Sequence, residues 1–142
     1  PRCSRTLALI APVLLFLIMG LTDLARGLAE RLSLEQAASR ALEKAAVGSV
    51  QSDYSSLGTE AATAAGSGAT ASVDQWLECN GTRQPAFDGA CANGQMTSRY
   101  VKVTVSRDFT PSFRYANTAW KFLNTNANGS ITLSGSAAVR VQ

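Results

Sequence analysis

Histidine is absent from the sequence. That absence removes the side chain most used as a general base near neutral pH and the commonest metal ligand together. There is also no glycine-rich phosphate loop and no nucleophile–base pair, so no catalytic residue is assigned and the chain reads as a non-enzyme. No cofactor and no small-molecule substrate is expected. Charge is scarce and dispersed: the net charge is +3, and no basic cluster is interleaved with aromatic residues, which argues against a nucleic-acid partner. Asp74, Glu78 and Asp88 do not follow a known calcium-loop spacing, so no metal site is predicted.

Cysteine is rare, and its three copies divide into two kinds. Cys79 and Cys91 bracket a short loop rich in Gly, Asn and Pro, a spacing that suits a disulfide in an oxidising compartment. Without histidine or a further cysteine pair, a zinc site cannot easily be completed there. Cys3 lies on the other side of a long apolar segment and reads as a free thiol.

That segment is the strongest signal present. Thr6 to Thr22 carries no charged residue, and Leu7–Leu21 is almost wholly apolar. At 1.5 Å per residue the uncharged run measures roughly 25 Å as a helix, slightly short of the hydrocarbon thickness of a bilayer. Arg5 and Arg26 can snorkel outward, and the apolar pattern continues through Leu24, Ala25, Leu28 and Leu32, so the reading is a single membrane span. Arg2 and Arg5 favour a cytoplasmic N-terminus. The paired cysteines belong in the exported half, which predicts a single-span membrane protein with its C-terminal domain exported. Pro12 lies inside the span, where it kinks the helix or meets a closely packed neighbour.

Beyond the span, Leu24, Leu28, Leu32, Ala38, Ala41, Leu42 and Ala45 recur at three- and four-residue steps. This predicts that the helix continues to about Val47, stops at Gly48–Ser49, and covers a soluble domain with these residues. Residues 49–72 turn to Gly, Ser and Ala, a connector with a short helix or loop around Thr59–Ala65. Strict alternation marks Tyr100–Arg107 and Ile131–Val141 as strands, with Val101, Val103 and Val105 on one face of the first. On the second, Ile131, Leu133, Ala137, Val139 and Val141 share a face. Ala71–Cys79 reads as a third strand, and Asn80-Gly-Thr82 and Asn128-Gly-Ser130 read as turns rather than glycosylation acceptors. Trp76, Phe109, Phe113, Trp120 and Phe122 read as core or membrane-interface aromatics before any binding patch.

The expected fold class is therefore α+β: a long N-terminal membrane-spanning helix continuing into an amphipathic helix packed on a small antiparallel sheet. The expected organisation is a cytoplasmic tip and span over 1–22, a juxtamembrane helix over 23–48, the connector over 49–72, and a β domain with its cystine loop over 73–142.

Taken in order, these features resemble the TadE/TadG-like minor pilins (pseudopilins) of bacterial tight-adherence pili. The resemblance is carried at the front by Leu7-Ala-Leu-Ile-Ala-Pro12-Val-Leu-Leu-Phe16-Leu-Ile-Met-Gly20-Leu-Thr-Asp23-Leu-Ala-Arg26 and by the Ala-rich run Leu34–Gly48. At the back it is carried by Val101-x-Val103-x-Val105, Phe109-Thr-Pro111-Ser-Phe113 and the final strand. It implies a membrane-anchored structural protein, a minor pilin or pilus-assembly component. Its partners would be the lipid bilayer and other pilins or complex subunits met through the N-terminal helix, with Pro12, Phe16, Gly20, Asp23 and Arg26 as packing positions. Prepilin-type proteins usually carry a glutamate about six residues before the early proline, and this chain has Thr6 there. That departure leaves one strong intermolecular contact unmade. It favours the alternative of a single-span accessory subunit of another membrane complex, for example a photosynthetic or respiratory one.

Overall fold

The computed structural model describes residues 2–48, 53–112, 126 and 129–141, with the side chains of residues 2–9 set aside. The side chains of Cys3, Arg5 and Thr6, together with Phe113, Trp120, Phe122 and Asn128, lie outside the described residues. The fold is α+β: helix α1 (Arg2–Val47), helix α2 (Ser56–Ala65), and strands β1 (Ala69–Cys79), β2 (Thr82–Gln84), β3 (Thr97–Phe109) and β4 (Ile131–Arg140). The chain divides into two compact units, Pro1–Glu30 with Phe109–Thr132, and Arg31–Asp108 with Leu133–Gln142.

Helix α1 runs through Pro12 and ends where the sequence changes character. Lys44 occupies its last turn, where a cation complements the carbonyl end of the helix, and Gly48 N–H donates to the Lys44 carbonyl at 3.1 Å. In the second unit the helix buries Leu34, Ala37, Ala38, Ala41, Leu42 and Ala45, a stripe at helical spacing. This corrects the sequence reading in part, because Leu24, Leu28 and Leu32 are exposed and lie outside the buried stripe. Leu32 lies about 200° round the helix from Leu34, so both cannot face the same sheet.

The sheet runs in the order β2-β1-β3-β4 and is antiparallel. Val73 pairs with Val103 and Ala71 with Val105 on the inner face, where Val101, Val103 and Val105 are completely buried. The small third strand of the sequence reading is longer by two residues at its start. It also returns through a two-residue turn, Asn80 (φ 49°) and Gly81 (φ 80°), into β2, a strand too short to show in the alternation. Helix α2 sits on β1, and a Cβ on its Gly58 would stand 3.3 Å from Val73 Cγ2.

The closest approach in this unit lies between α1 and β4. Gly135 occupies an inward position of β4, and a Cβ there would come within 2.4 Å of Glu35 N and 2.7 Å of the Leu34 carbonyl carbon. Both obstacles are helix backbone, which cannot rotate away. The alanines of the helix stripe follow the same logic, since short side chains let a helix lie low on a sheet.

Helix α2 is preceded by Asp53, whose carboxylate accepts from Ser55 N–H at 2.9 Å and from the Ser55 hydroxyl at 2.7 Å. The Ser55 hydroxyl bond, then its amide bond, hold the Asp53 carboxyl below its ordinary pKa of 3.8.

Two outcomes are expected. Gly135→Ala should destabilise the fold by about 3 kcal/mol through overpacking, read as a lowered denaturation midpoint, while Ser134→Ala on the outward face should stay within about 0.5 kcal/mol. Equal midpoints for Gly135→Ala and the parent chain would refute the close approach. Because the Asp53 pKa is depressed, its contribution is present above the ordinary value of 3.8 and is lost as pH falls below that through the lowered pKa. Asp53→Asn should remove that part of the acid limb in a stability–pH profile.

Candidate functional site

The site the sequence points to is the first part of α1. Among the described residues one helix is long and apolar enough to cross a membrane, and it is this one. Ile10, Val13, Leu14, Leu15, Phe16, Leu17, Ile18 and Leu21 are all more than half exposed, so the apolar side chains surround the helix rather than face one core. Pro12 lies within the helix, and a Cβ on Gly20 would meet nothing within 4 Å. Thr22, the last residue before charge returns, turns its hydroxyl back to the Ile18 carbonyl at 2.7 Å, which satisfies it without water.

The charge boundary is built differently from the span. Asp23 is buried, at 4% exposure, and its Oδ1 accepts from Ser112 N–H at 3.1 Å. Arg26 stands one helical turn on, 3.9 Å from the same oxygen, and its Nη1 donates to Ser112 Oγ. Gly27 lets the Phe109 ring lie alongside the helix, 3.8 Å from where its Cβ would be. A short polar knot thus ties the segment leaving β3 to the helix at its first charged turn. Asp23 and Arg26, packing positions in the sequence reading, pair at helical spacing and both bond to Ser112 of the same chain. Ser112 carried no signal of its own in the sequence. The hint was the acidic residue at the end of an apolar run, which needs a donor once buried.

In the second unit Cys79 and Cys91 are joined by a disulfide with a Cα–Cα distance of 5.6 Å. The loop they close is held from outside by Arg99, which donates from Nε to the Phe87 carbonyl and from Nη2 to the Gly89 carbonyl, both at 3.1 Å. Phe87 turns into the core and meets Tyr54 edge-on at 5.9 Å between centroids. The loop is therefore part of the packed head and no free lasso. On the outer face of the sheet, Trp76 stacks on its cross-strand partner Tyr100 at 5.4 Å and lies beneath the Arg83 guanidinium at 4.7 Å. Its indole N–H donates to Glu78, and Asp74 pairs with Arg83 at 2.8 Å, so these two carboxylates serve the sheet face. Among the described residues no group of three or more cysteine, aspartate or glutamate side chains converges as a metal set would.

Two further outcomes follow. Asp23→Ala should cost about 1–3 kcal/mol for the unmet Ser112 N–H and should raise proteolytic cleavage next to Phe109. Asp23→Asn keeps an acceptor and should behave nearly as the parent, because the ion pair with exposed Arg26 contributes little. Similar cleavage of the Ala variant and the parent chain would dismiss the tether. Replacing Cys79 and Cys91 with serine should lower stability by about 3 kcal/mol in the chain-entropy description of a loop this size, read by denaturation with and without reductant.

No curated protein and no solved structure matches the chain. The family model for TadE-like proteins does, over residues 7–42. The matched stretch contains the exposed apolar helix, the Asp23–Arg26 turn and the first residues that cover the sheet. Over that N-terminal segment the chain is TadE-like, consistent with a TadE/TadG-like pilin family.

Proposed function

We propose that the chain is a non-enzymatic, membrane-anchored pilin-like structural protein, a minor pilin or pilus-assembly component. The observation that carries this reading is α1 itself, a single unbroken helix from Arg2 to Val47 that is apolar all round at first and amphipathic later. Such a helix needs a surrounding of lipid or other helices for its first part and supplies the cover of a β head with its second. The TadE-like match over residues 7–42 supports a pilus-related role for this element. On this reading α1 spans the inner membrane once, its N-terminus is cytoplasmic, and the disulfide-bearing head is periplasmic or extracellular. The partners are the bilayer and other pilins or assembly subunits, with no catalytic residue and no cofactor involved.

One sequence feature favours a second reading. Thr6 stands where a prepilin-type protein carries its glutamate, and without that charge a filament contact to a neighbour's terminal amine is lost. An accessory subunit of another integral membrane complex would not need the contact.

Purification of the tagged full chain in mild detergent, with mass spectrometry of its partners and of sheared extracellular material, separates the two. Pilins or pilus-assembly proteins beside it, and its presence in the sheared fraction, are the expected result. Retention in the membrane at fixed stoichiometry with an unrelated complex would replace the first reading with the second. Recovery as a freely soluble protein would dismiss both.

A further inference from the structure

We infer that Arg99 positions the thiols of Cys79 and Cys91 for their disulfide, holding the loop between them in its bonded shape before the bond is made and after it is broken. The inference uses residues of the second unit alone and does not depend on a pilus-related role.

Each cysteine is fixed by something other than the bond. Cys79 ends β1 inside the ladder, paired with Thr97 of β3 on one side and Thr82 of β2 on the other. Cys91 lies between β2 and β3, and its place is set by its neighbours. Before it, the Phe87 and Gly89 carbonyls accept from Arg99 Nε and Nη2, each at 3.1 Å. Just after it, Ala92 N–H donates to Gln95 Oε1 at 3.2 Å, and Gln95 N–H returns to the Ala92 carbonyl at 3.1 Å. The end of the loop is tied to the hairpin turn, where Met96 N–H donates to Asn80 Oδ1 at 2.8 Å and Asn80 N–H to the Met96 carbonyl at 3.0 Å. Only Ala90 and Cys91 stand between the anchors at Gly89 and Ala92. A reduced Cys91 therefore has little free chain with which to move away.

Among these anchors Arg99 joins the loop to the sheet. It stands opposite Leu77 in the register, on the strand pair that carries Cys79. Gly89 lies against that same leucine, since a Cβ on Gly89 would be 3.3 Å from Leu77 Cδ2. The planar guanidinium reaches two carbonyls at once, which the point charge of a lysine does not do. Its hold also keeps Phe87 in the core, where the ring meets Tyr54.

The consequence is a raised effective concentration of one thiol at the other. The two Cα atoms stand 5.6 Å apart, within the span that a disulfide bridges. A loop of this size also closes in an unfolded chain, at a cost in entropy. In the folded head the clasp removes that freedom beforehand. With glutathione disulfide as oxidant, one cysteine thiolate forms a mixed disulfide and releases one glutathione, and the other thiolate displaces the second. Two protein thiols become one disulfide, and the oxidant takes up the two electrons and two protons as two glutathione thiols.

The test equilibrates the full chain, carrying Cys3→Ser, with reduced and oxidised glutathione in detergent, traps free thiols by alkylation and reads the disulfide fraction by mass. Arg99→Gln and Arg99→Lys should each lower the effective concentration of the thiol pair by about tenfold or more in native buffer, the loss expected when hydrogen bonds from a charged donor are removed. In strong denaturant both should match the parent. Val103→Ala, at a core position paired with Val73, should lower the denaturation midpoint and leave the native-buffer value unchanged. The reduced parent should resist chymotrypsin at buried Phe87, and reduced Arg99→Lys should not. Arg99 variants equal to the parent in native buffer, or an equal fall in Val103→Ala, would overturn the inference. So would rapid cleavage at Phe87 in the reduced parent, or a parent value no higher in native buffer than in denaturant, and these two readings need no variant to fold.

Discussion

At one place in the head, helix and sheet meet backbone to backbone. At Gly135 the helix passes so near β4 that no side chain fits between them, and a Cβ would stand 2.4 Å from Glu35 N. Much else depends on this distance. A helix this low on a sheet must present small residues, and Ala37, Ala38, Ala41 and Ala45 make up most of its buried stripe. The strand beneath is light at Gly135 and Ala137, and Val101, Val103 and Val105 of β3 fill the space beside them. Packing density in a small head is reached here by bringing the layers together rather than by enlarging the side chains between them.

The polar knot at Asp23 follows the opposite rule. Burying a carboxylate is costly unless donors surround it; Ser112 N–H donates to Asp23 directly, and the Arg26 guanidinium beside it donates to Ser112 Oγ. The knot lies where the helix changes from apolar all round to charged, and there a chain segment binds the helix through directional bonds. The family match over residues 7–42 spans both regimes and stops before the connector, so the likeness belongs to the element with the strongest physical constraints on its composition.

Much of this architecture was legible in the sequence because period and composition report it directly. The uncharged run, the alternation around Val101–Val105 and in β4, and the cysteine pair each reflect a constraint that acts along the chain. What was missed depends on three dimensions. Leu24, Leu28 and Leu32 continue the apolar pattern, yet period alone does not say which side of a helix the sheet will occupy. Gly135 could have been flagged as a glycine at an inward strand position, a sign of close backbone approach, but its partner at Leu34–Glu35 could not. Strand β2 is three residues long and has no period to read. Arg99, at an inward-facing end of β3, clasps two carbonyls of the cystine loop, a contact that no period along the chain reports.

The fit at Gly135 also orders events during biosynthesis. Glu35 is made long before Gly135, so the alanine stripe of the helix cannot meet β4 until that strand has emerged from the ribosome. The cystine loop, in contrast, closes over a dozen residues and can form as soon as it meets an oxidant. The nascent protein therefore passes through a stage in which one loop is covalently set while the helix still offers an uncovered apolar flank.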